Sequence, residues 1–194
     1  MINCEGPPAD TDRSTANGYS RGLADNTFER SIEAFDGKRH DRDSFCCGVE
    51  SLDRYFRSRA RQDRDKYAAA VFGMAEGPRV IGYYTLSSYT IIPGELPNEL
   101  VRGLPRYPNL PATLIGRLAV DTRYHRKGFG EELLLDALKR CLAATSEVGS
   151  LAVVVEAENK NALQFYQSYG FIPFPGHEGK LFLLMPTIRV MFEK

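Results

Sequence analysis

The segment that most constrains this chain reads LAVDTRYHRKGFGEELL over residues 118–134. An apolar stretch ends at Val120, a basic turn holding Gly128 and Gly130 follows, and a helix-forming run opens directly after it. Downstream, Leu134, Ala137, Leu138, Cys141 and Leu142 fall at i, i+3, i+4, i+7 and i+8, one buried stripe of a helix. Glu131 and Glu132 sit at the positive end of that helix's dipole, with Lys139 and Arg140 near the negative end. The run LAVVVE at 151–156 is continuously apolar, as in a strand covered on both faces. A strand–helix–strand unit flanked by hairpins implies a mixed α/β sheet. The turn itself suits an anion. Gly128 and Gly130 carry no Cβ, so free N–H groups at a helix start can approach a phosphate, and Arg126 and Lys127 add charge. No Gly-Lys-Ser/Thr follows and the third glycine of a dinucleotide fingerprint is missing. Taken alone, the turn reads equally well as an ordinary strand-to-helix connection.

The rest of the chain divides simply. Residues 1–31 hold nine apolar residues among Pro, Gly, Ser, Asn and Asp, too few to offset their ordering entropy. Residues 1–27 are therefore expected to form a flexible tail and 28–194 a single domain. Ser51 is placed to cap a helix over 52–67. Strands are expected at 68–75 and 79–88, joined by a Gly77-Pro78 turn. A connection with five prolines, holding one short helix, leads to a strand at 113–120. A helix over 159–169 stops at Gly170, and LFLLMPTIRVMF reads as a strand interrupted at Pro186.

Charge excludes some function classes. Twenty-five basic and twenty-five acidic side chains cancel, so a polyanion partner must be met by a local patch. No apolar run reaches the roughly 20 residues that span a bilayer. The polar N-terminus lacks a secretion signal's apolar centre, and the four cysteines have neither metal-ligand spacing nor disulfide-scaffold density, so a cytoplasmic setting without a metal is expected.

Two further motifs turn the ambiguous turn into a specific signal. RLAVDxxYHRKGFG together with NxxAxxFYxxYGF resembles the GNAT superfamily of N-acetyltransferases. FCCGVESLDRYF, RVIGYYTLSS, LPATLIGRLAVD and LFLLMPTI resemble, more narrowly, the GNAT toxins of bacterial toxin–antitoxin pairs. The resemblance covers roughly residues 28–194. It implies an α/β (α+β) fold with a mixed, mostly antiparallel central sheet, a V-shaped splay between two parallel strands, and helices on both faces. It also implies acetyl-CoA as co-substrate. Leu118, Ala119 and Val120 would meet its pantetheine arm, chiefly through the backbone of Leu118 and Val120. Arg126, Lys127, Gly128, Phe129 and Gly130 would hold its pyrophosphate, and Asn159 would contact it near the second strand. His125 stands where such cradles usually open with Gln or Arg.

Direct acetyl transfer asks for an uncharged amine, a stabilised oxyanion and a proton for the departing thiolate. Main-chain N–H groups of the 118–120 strand suit the second and Tyr166, matching the family tyrosine, suits the third, with Tyr169 as the packing alternative. Glu156 and Glu158, at a strand end, are the candidate bases, Glu156 first. His40 and His177 fall in loops. So thin a supply of bases fits an α-amine, with pKa near 8, better than a lysine near 10.4. The narrower resemblance likewise implies acetylation of the amino acid on charged tRNA, and as partner an antitoxin, often a ribbon-helix-helix protein. A homodimer is a further family expectation. For tRNA, Arg54, Arg57, Arg61 and Arg64 share one helix arc of about 80°. Leu52, Phe56, Ala60 and Tyr67 lie opposite, with Arg59 and Asp63 able to pair, and Arg102 and Arg106 are additional candidates. Two other readings stay open: transfer to a small amine or protein N-terminus, and a non-catalytic acetyl-CoA- or RNA-binding module.

Overall fold

A computed structural model describes residues 30–193, and the tail expected over 1–27 lies outside them. Seven strands form one sheet: β1 (Ser31–Ala34), β2 (Ala70–Glu76), β3 (Arg79–Ile91), β4 (Leu110–Val120), β5 (Ala152–Glu156), β6 (Ile172–Pro173) and β7 (Lys180–Leu184). Their order is β1-β2-β3-β4-β5-β7-β6. Every neighbouring pair is antiparallel except β4 and β5, which are parallel because α4 (Phe129–Ala144) crosses between them. The hairpin of β2 and β3 turns at Gly77, whose φ of 60° suits a residue without a Cβ.

Two faces of the sheet are covered differently. On one, α4, α5 (Lys160–Ser168) and α6 (Met185–Phe192) bury Leu133, Leu134, Ala137, Leu138, Tyr166 and Ile188 against Ile81, Tyr84, Ile115, Val153 and Val155. On the other, α1 (Glu50–Ser58) and α2 (Ala60–Asp65) bury Leu52, Tyr55, Phe56 and Ala60 against Tyr83 and Ala119. The proline-rich connection covers the rest of this second face. It contains a 3-10 turn at Pro93–Glu95 and α3 (Asn98–Val101), and it seats Leu96 and Leu100 near Val154 and Phe182.

A bulge parts the middle of the sheet. Thr85 lies opposite Arg117 and Leu86 opposite Ile115, which leaves Gly116 as the extra residue in β4. A Cβ at this position would come 3.2 Å from Thr85 Oγ1, so only glycine sits there without displacing a neighbour. β4 pairs with β5 only over Thr113, Leu114 and Ile115. Beyond the bulge β4 stays with β3 as far as Val120, while β5 stays with β7 to Glu156. The parallel strands thus diverge into the expected V.

Several local expectations need correction. The helix expected over 52–67 is broken at Arg59, because past Ala60 the segment is polar and has little apolar surface to hold a continuous helix. Tyr67, expected on the apolar side, is 95% exposed. Ser51 caps nothing: the helix begins at Glu50, with Val49 as its extended N-cap. Arg59 and Asp63 form no ion pair among the described residues; instead Asp63 faces the Tyr55 phenol, which burial first and this carboxylate second push up to about 12. Lys139 and Arg140 are not in the last turn of α4, which runs on to Ala144, and Arg140 pairs with Asp136. The C-terminal segment is not one broken strand. Pro186 falls in the first turn of α6, where a missing N–H costs no helix bond.

Candidate active site

The V of the sheet opens as a groove of about 200 Å3, lined by β4 from Ile115 to Val120, by Glu156, Glu158 and Asn159 after β5, and by Tyr166 of α5. Its mouth on the α1 face is formed by Cys47, Val49, Leu52 and Arg117. The phase of β4 follows from one bond: Asp121 N–H donates to the Ile81 carbonyl at 2.8 Å. Antiparallel alternation then turns the backbone of Leu118 and Val120 away from β3 and into the groove. Ala119 also lines the groove but is oriented differently. Its backbone faces β3 opposite Tyr83, and its methyl is buried in the aromatic cluster beneath α1.

The basic turn meets one end of this groove. Asp121 anchors it: the fully buried carboxylate accepts from Cys46 N–H at 3.1 Å and from the Arg123 guanidinium at 2.7 and 2.8 Å. Burial opposes ionisation there, but Arg123 and the amide donors outweigh it and hold the carboxyl below the usual range. Arg126 and Gly128 then take left-handed φ values of 60° and 84°. Among the described residues, the backbone N–H groups of 126–131 donate to no acceptor. Six free amides beside a helix N-terminus fit a phosphate group. His125 lines the groove beside this cradle; its Nε2 bonds the Val120 carbonyl at 2.8 Å and ties the turn to the end of β4. The Lys127 ammonium stands 5.2 Å from the Tyr124 ring centre, and Arg126 is exposed.

At the centre lies Tyr166, 6% exposed and held between Phe165 and Phe171 at ring separations of 5.4 Å. Its hydroxyl bonds no other described residue, and burial pushes the phenol well above its ordinary range, so it keeps its proton at any physiological pH. The resting phenol is thus a weaker acid than an unperturbed one. Tyr169 packs on Phe165 outside the groove lining, and its phenol is raised by burial and by Glu131. Asn159 caps α5: its side-chain oxygen accepts from Ala162 N–H at 3.0 Å, which leaves its NH2 group for the groove. Glu156 ends β5 and Glu158 follows, both exposed at the groove. His40 and His177 lie outside it, bonded to Glu33 and beside Glu95 respectively.

The proposed basic face is narrower than its spacing suggests. Arg54 and Arg57 are exposed on α1 with no carboxylate partner among the described residues. Arg61 pairs with Asp65 at 3.5 Å. Arg64 is committed to structure, donating to the Phe35 carbonyl at 2.5 Å and to Asp65 at 2.6 Å. Arg102 and Arg106 are exposed on the connection that covers the same sheet face as α1. Sequence reasoning missed Arg117. It is half-buried at the mouth with its guanidinium 3.6 Å from the Tyr55 ring centre, and the available signal was a lone charge inside an otherwise apolar strand. No group of three or more His, Cys, Asp or Glu among the described residues is arranged to hold a metal.

A parted sheet with an amide cradle at one end and a buried, proton-retaining phenol beside the gap defines an acyl-carrier-dependent transferase. Comparison with known proteins agrees: the acetyltransferase (GNAT) family model matches residues 38–171, and the chain belongs to that family. Over 170 residues it is 32% identical to a probable toxin TacT of Sinorhizobium fredii, covering 83% of this chain and 94% of that protein. Over 148 residues it is 34% identical to a tRNA-acetylating toxin of Mycobacterium tuberculosis, covering 76% of this chain and 88% of that one. Among solved structures it is similar to AtaT complexed with acetyl-methionyl-tRNAfMet, with a TM-score of 0.78 and 29% identity over 84% of this chain and 99% of that chain. AtaT has also been solved bound to the C-terminus of its antitoxin AtaR and acetyl-CoA.

Proposed function

We propose that this chain is an acetyl-CoA-dependent toxin that acetylates the α-amine of aminoacyl-tRNA by direct transfer in a ternary complex. The observation that carries the reading is the groove in the parted sheet, lined by His125 next to the free amides of 126–131 and, on the α1 face, by Cys47, Val49 and Leu52. Acetyl-CoA supplies the activated acetyl group. Arg126, Lys127, Gly128, Phe129 and Gly130 hold its pyrophosphate, and the groove-facing backbone of Leu118 and Val120, with the Asn159 NH2 group, orients the arm. The free Leu118 and Val120 N–H groups are the donors nearest to stabilising a developing oxyanion. Tyr166 carries the proton for the departing sulfur. Glu156, on the mouth side of β5, takes up the amine's proton through water.

Arg54, Arg57, Arg102 and Arg106 flank that mouth on one sheet face and meet the tRNA backbone, with Arg61 and Arg64 contributing little. AtaT solved with the C-terminus of AtaR supports an antitoxin partner here too, expected to be a ribbon-helix-helix protein, and a cytoplasmic site of action follows from a tRNA substrate. Incubation with labelled acetyl-CoA and total charged tRNA should yield acetylated amino acids on RNA. No transfer to any charged species refutes the proposal. Transfer to free polyamines or peptides alone would move the protein to the small-amine reading.

A further inference from the structure

The mouth of the groove holds a cation with no carboxylate or carbonyl partner among the described residues. Arg117 projects from β4 on the α1 side, half-buried, stacked over the Tyr55 ring at 3.6 Å. Among the described residues no carboxylate lies in ion-pair range of it and no carbonyl accepts from its guanidinium. Such a group carries five N–H donors in a fixed plane. Partial burial of an unpaired charge is unfavourable unless something in the site's working state pairs with it. Tyr55 is itself 6% exposed and packed against Tyr83, so the ring on which Arg117 rests is rigid. The guanidinium is therefore preorganised rather than free to swing. Glu156 lines the same groove and, by strand alternation with the buried Val154, faces the same side of the sheet. The mouth thus presents one cation and one anion to whatever enters.

An acceptor matching both charges has an amine and an anion close together. We propose that Arg117 is a specificity-determining residue that binds the phosphodiester joined to the terminal adenosine of the acceptor, while the α-amine lies toward Glu156. This rests on the aminoacyl-tRNA reading above and names the part of the acceptor that the groove itself recognises. The planar fork of arginine suits two phosphate oxygens, which a single ammonium does not match. Contacts by Arg54 and Arg57 would then steer the RNA, whereas Arg117 would register its end.

The test compares two hydrolysis-stable acceptors, an adenosine bearing an amide-linked 3′-aminoacyl group and the same molecule with a 5′-phosphate. The wild-type protein should favour the phosphorylated acceptor in kcat/KM by about tenfold or more, the scale of a charge-assisted hydrogen bond. Arg117→Gln should erase that preference while leaving the unphosphorylated acceptor and acetyl-CoA affinity unchanged. Arg117→Lys should restore only part of it. On charged tRNA, Arg117→Gln should raise KM with kcat nearly retained. Equal use of both acceptors by the wild type, or an equal loss on both in Arg117→Gln, overturns the inference and leaves the function intact. If only charged tRNA is acetylated, an unchanged KM in Arg117→Gln overturns it. No acetylation of any of the three by the wild type overturns the function itself. Melting curves confirm that each variant is folded, and Tyr55→Phe, which keeps the ring, should behave as wild type in the phosphate comparison.

Discussion

Replacing Tyr166 by Phe separates chemistry from folding unusually cleanly in this protein. The ring is buried among Phe165, Phe171 and the α4 side chains, and phenylalanine fills the same volume. The hydroxyl bonds no described residue, so its removal leaves no protein donor or acceptor orphaned. The stability change should stay within about 0.5 kcal/mol, the scale of substitutions that break no named interaction. If the same hydroxyl delivers the proton in the transition state, its loss should lower kcat by about 100- to 10,000-fold. That range corresponds to roughly 3 to 5 kcal/mol of barrier, at about 1.4 kcal/mol for each factor of ten. Thiol release from acetyl-CoA in the presence of charged tRNA gives kcat, calorimetry gives donor affinity, and a thermal melt gives stability. The expected pattern is a large fall in kcat with unchanged affinity and melting temperature. A kcat within threefold of wild type, or a loss explained by unfolding, would refute the assignment.

Two other outcomes follow from side chains whose surroundings are known. His40 is buried with Nδ1 accepting from Asp36 N–H and Nε2 donating to Glu33, and burial together with Arg39 outweighs Asp36 to lower its pKa below 6.5. Since the folded state favours the neutral ring, this contribution is complete above the unfolded value near 6.5 and is lost as pH falls through the folded one. Denaturant melts at descending pH should therefore show a loss in wild type that is reduced in His40→Gln. Charge reversal at Arg54 and Arg57 should weaken binding of tRNA and flatten its salt dependence, whereas Arg64→Ala should lower the melting temperature more than RNA affinity, because its guanidinium holds the Phe35 carbonyl. Filter binding across a salt series checks both.

Much of this architecture was legible because its signals are local and periodic. The α4 stripe, the apolar β5 run and the glycine turn each declare themselves within a few residues, and together they imply the parallel crossover. What stayed hidden depends on long-range registration. Counting alternately from Ile115 would place Arg117 and Ala119 on its face of the sheet, yet both lie on the opposite face. The bulge at Gly116 reverses the alternation, and nothing in β4 alone reveals that Thr85 pairs with Arg117. The basic arc misled for a similar reason. Spacing placed Arg64 with Arg54 and Arg57, but its partner comes from Phe35, far away in sequence. Pro186 looked like a broken strand because a helix start and a strand interruption accept proline equally well.

The wedge between β4 and β5 also has a consequence for order of entry. Its lining draws on both faces of one layer, Ala162 and Tyr166 from the side of α4 and Cys47, Val49 and Leu52 from the side of α1. With the acyl carrier entering from the first side and the RNA from the second, neither would have to pass the other, and the carrier could be renewed while the RNA stays docked. A blocker seated on the RNA doorway alone would silence the enzyme yet leave it loaded, ready to fire once uncovered.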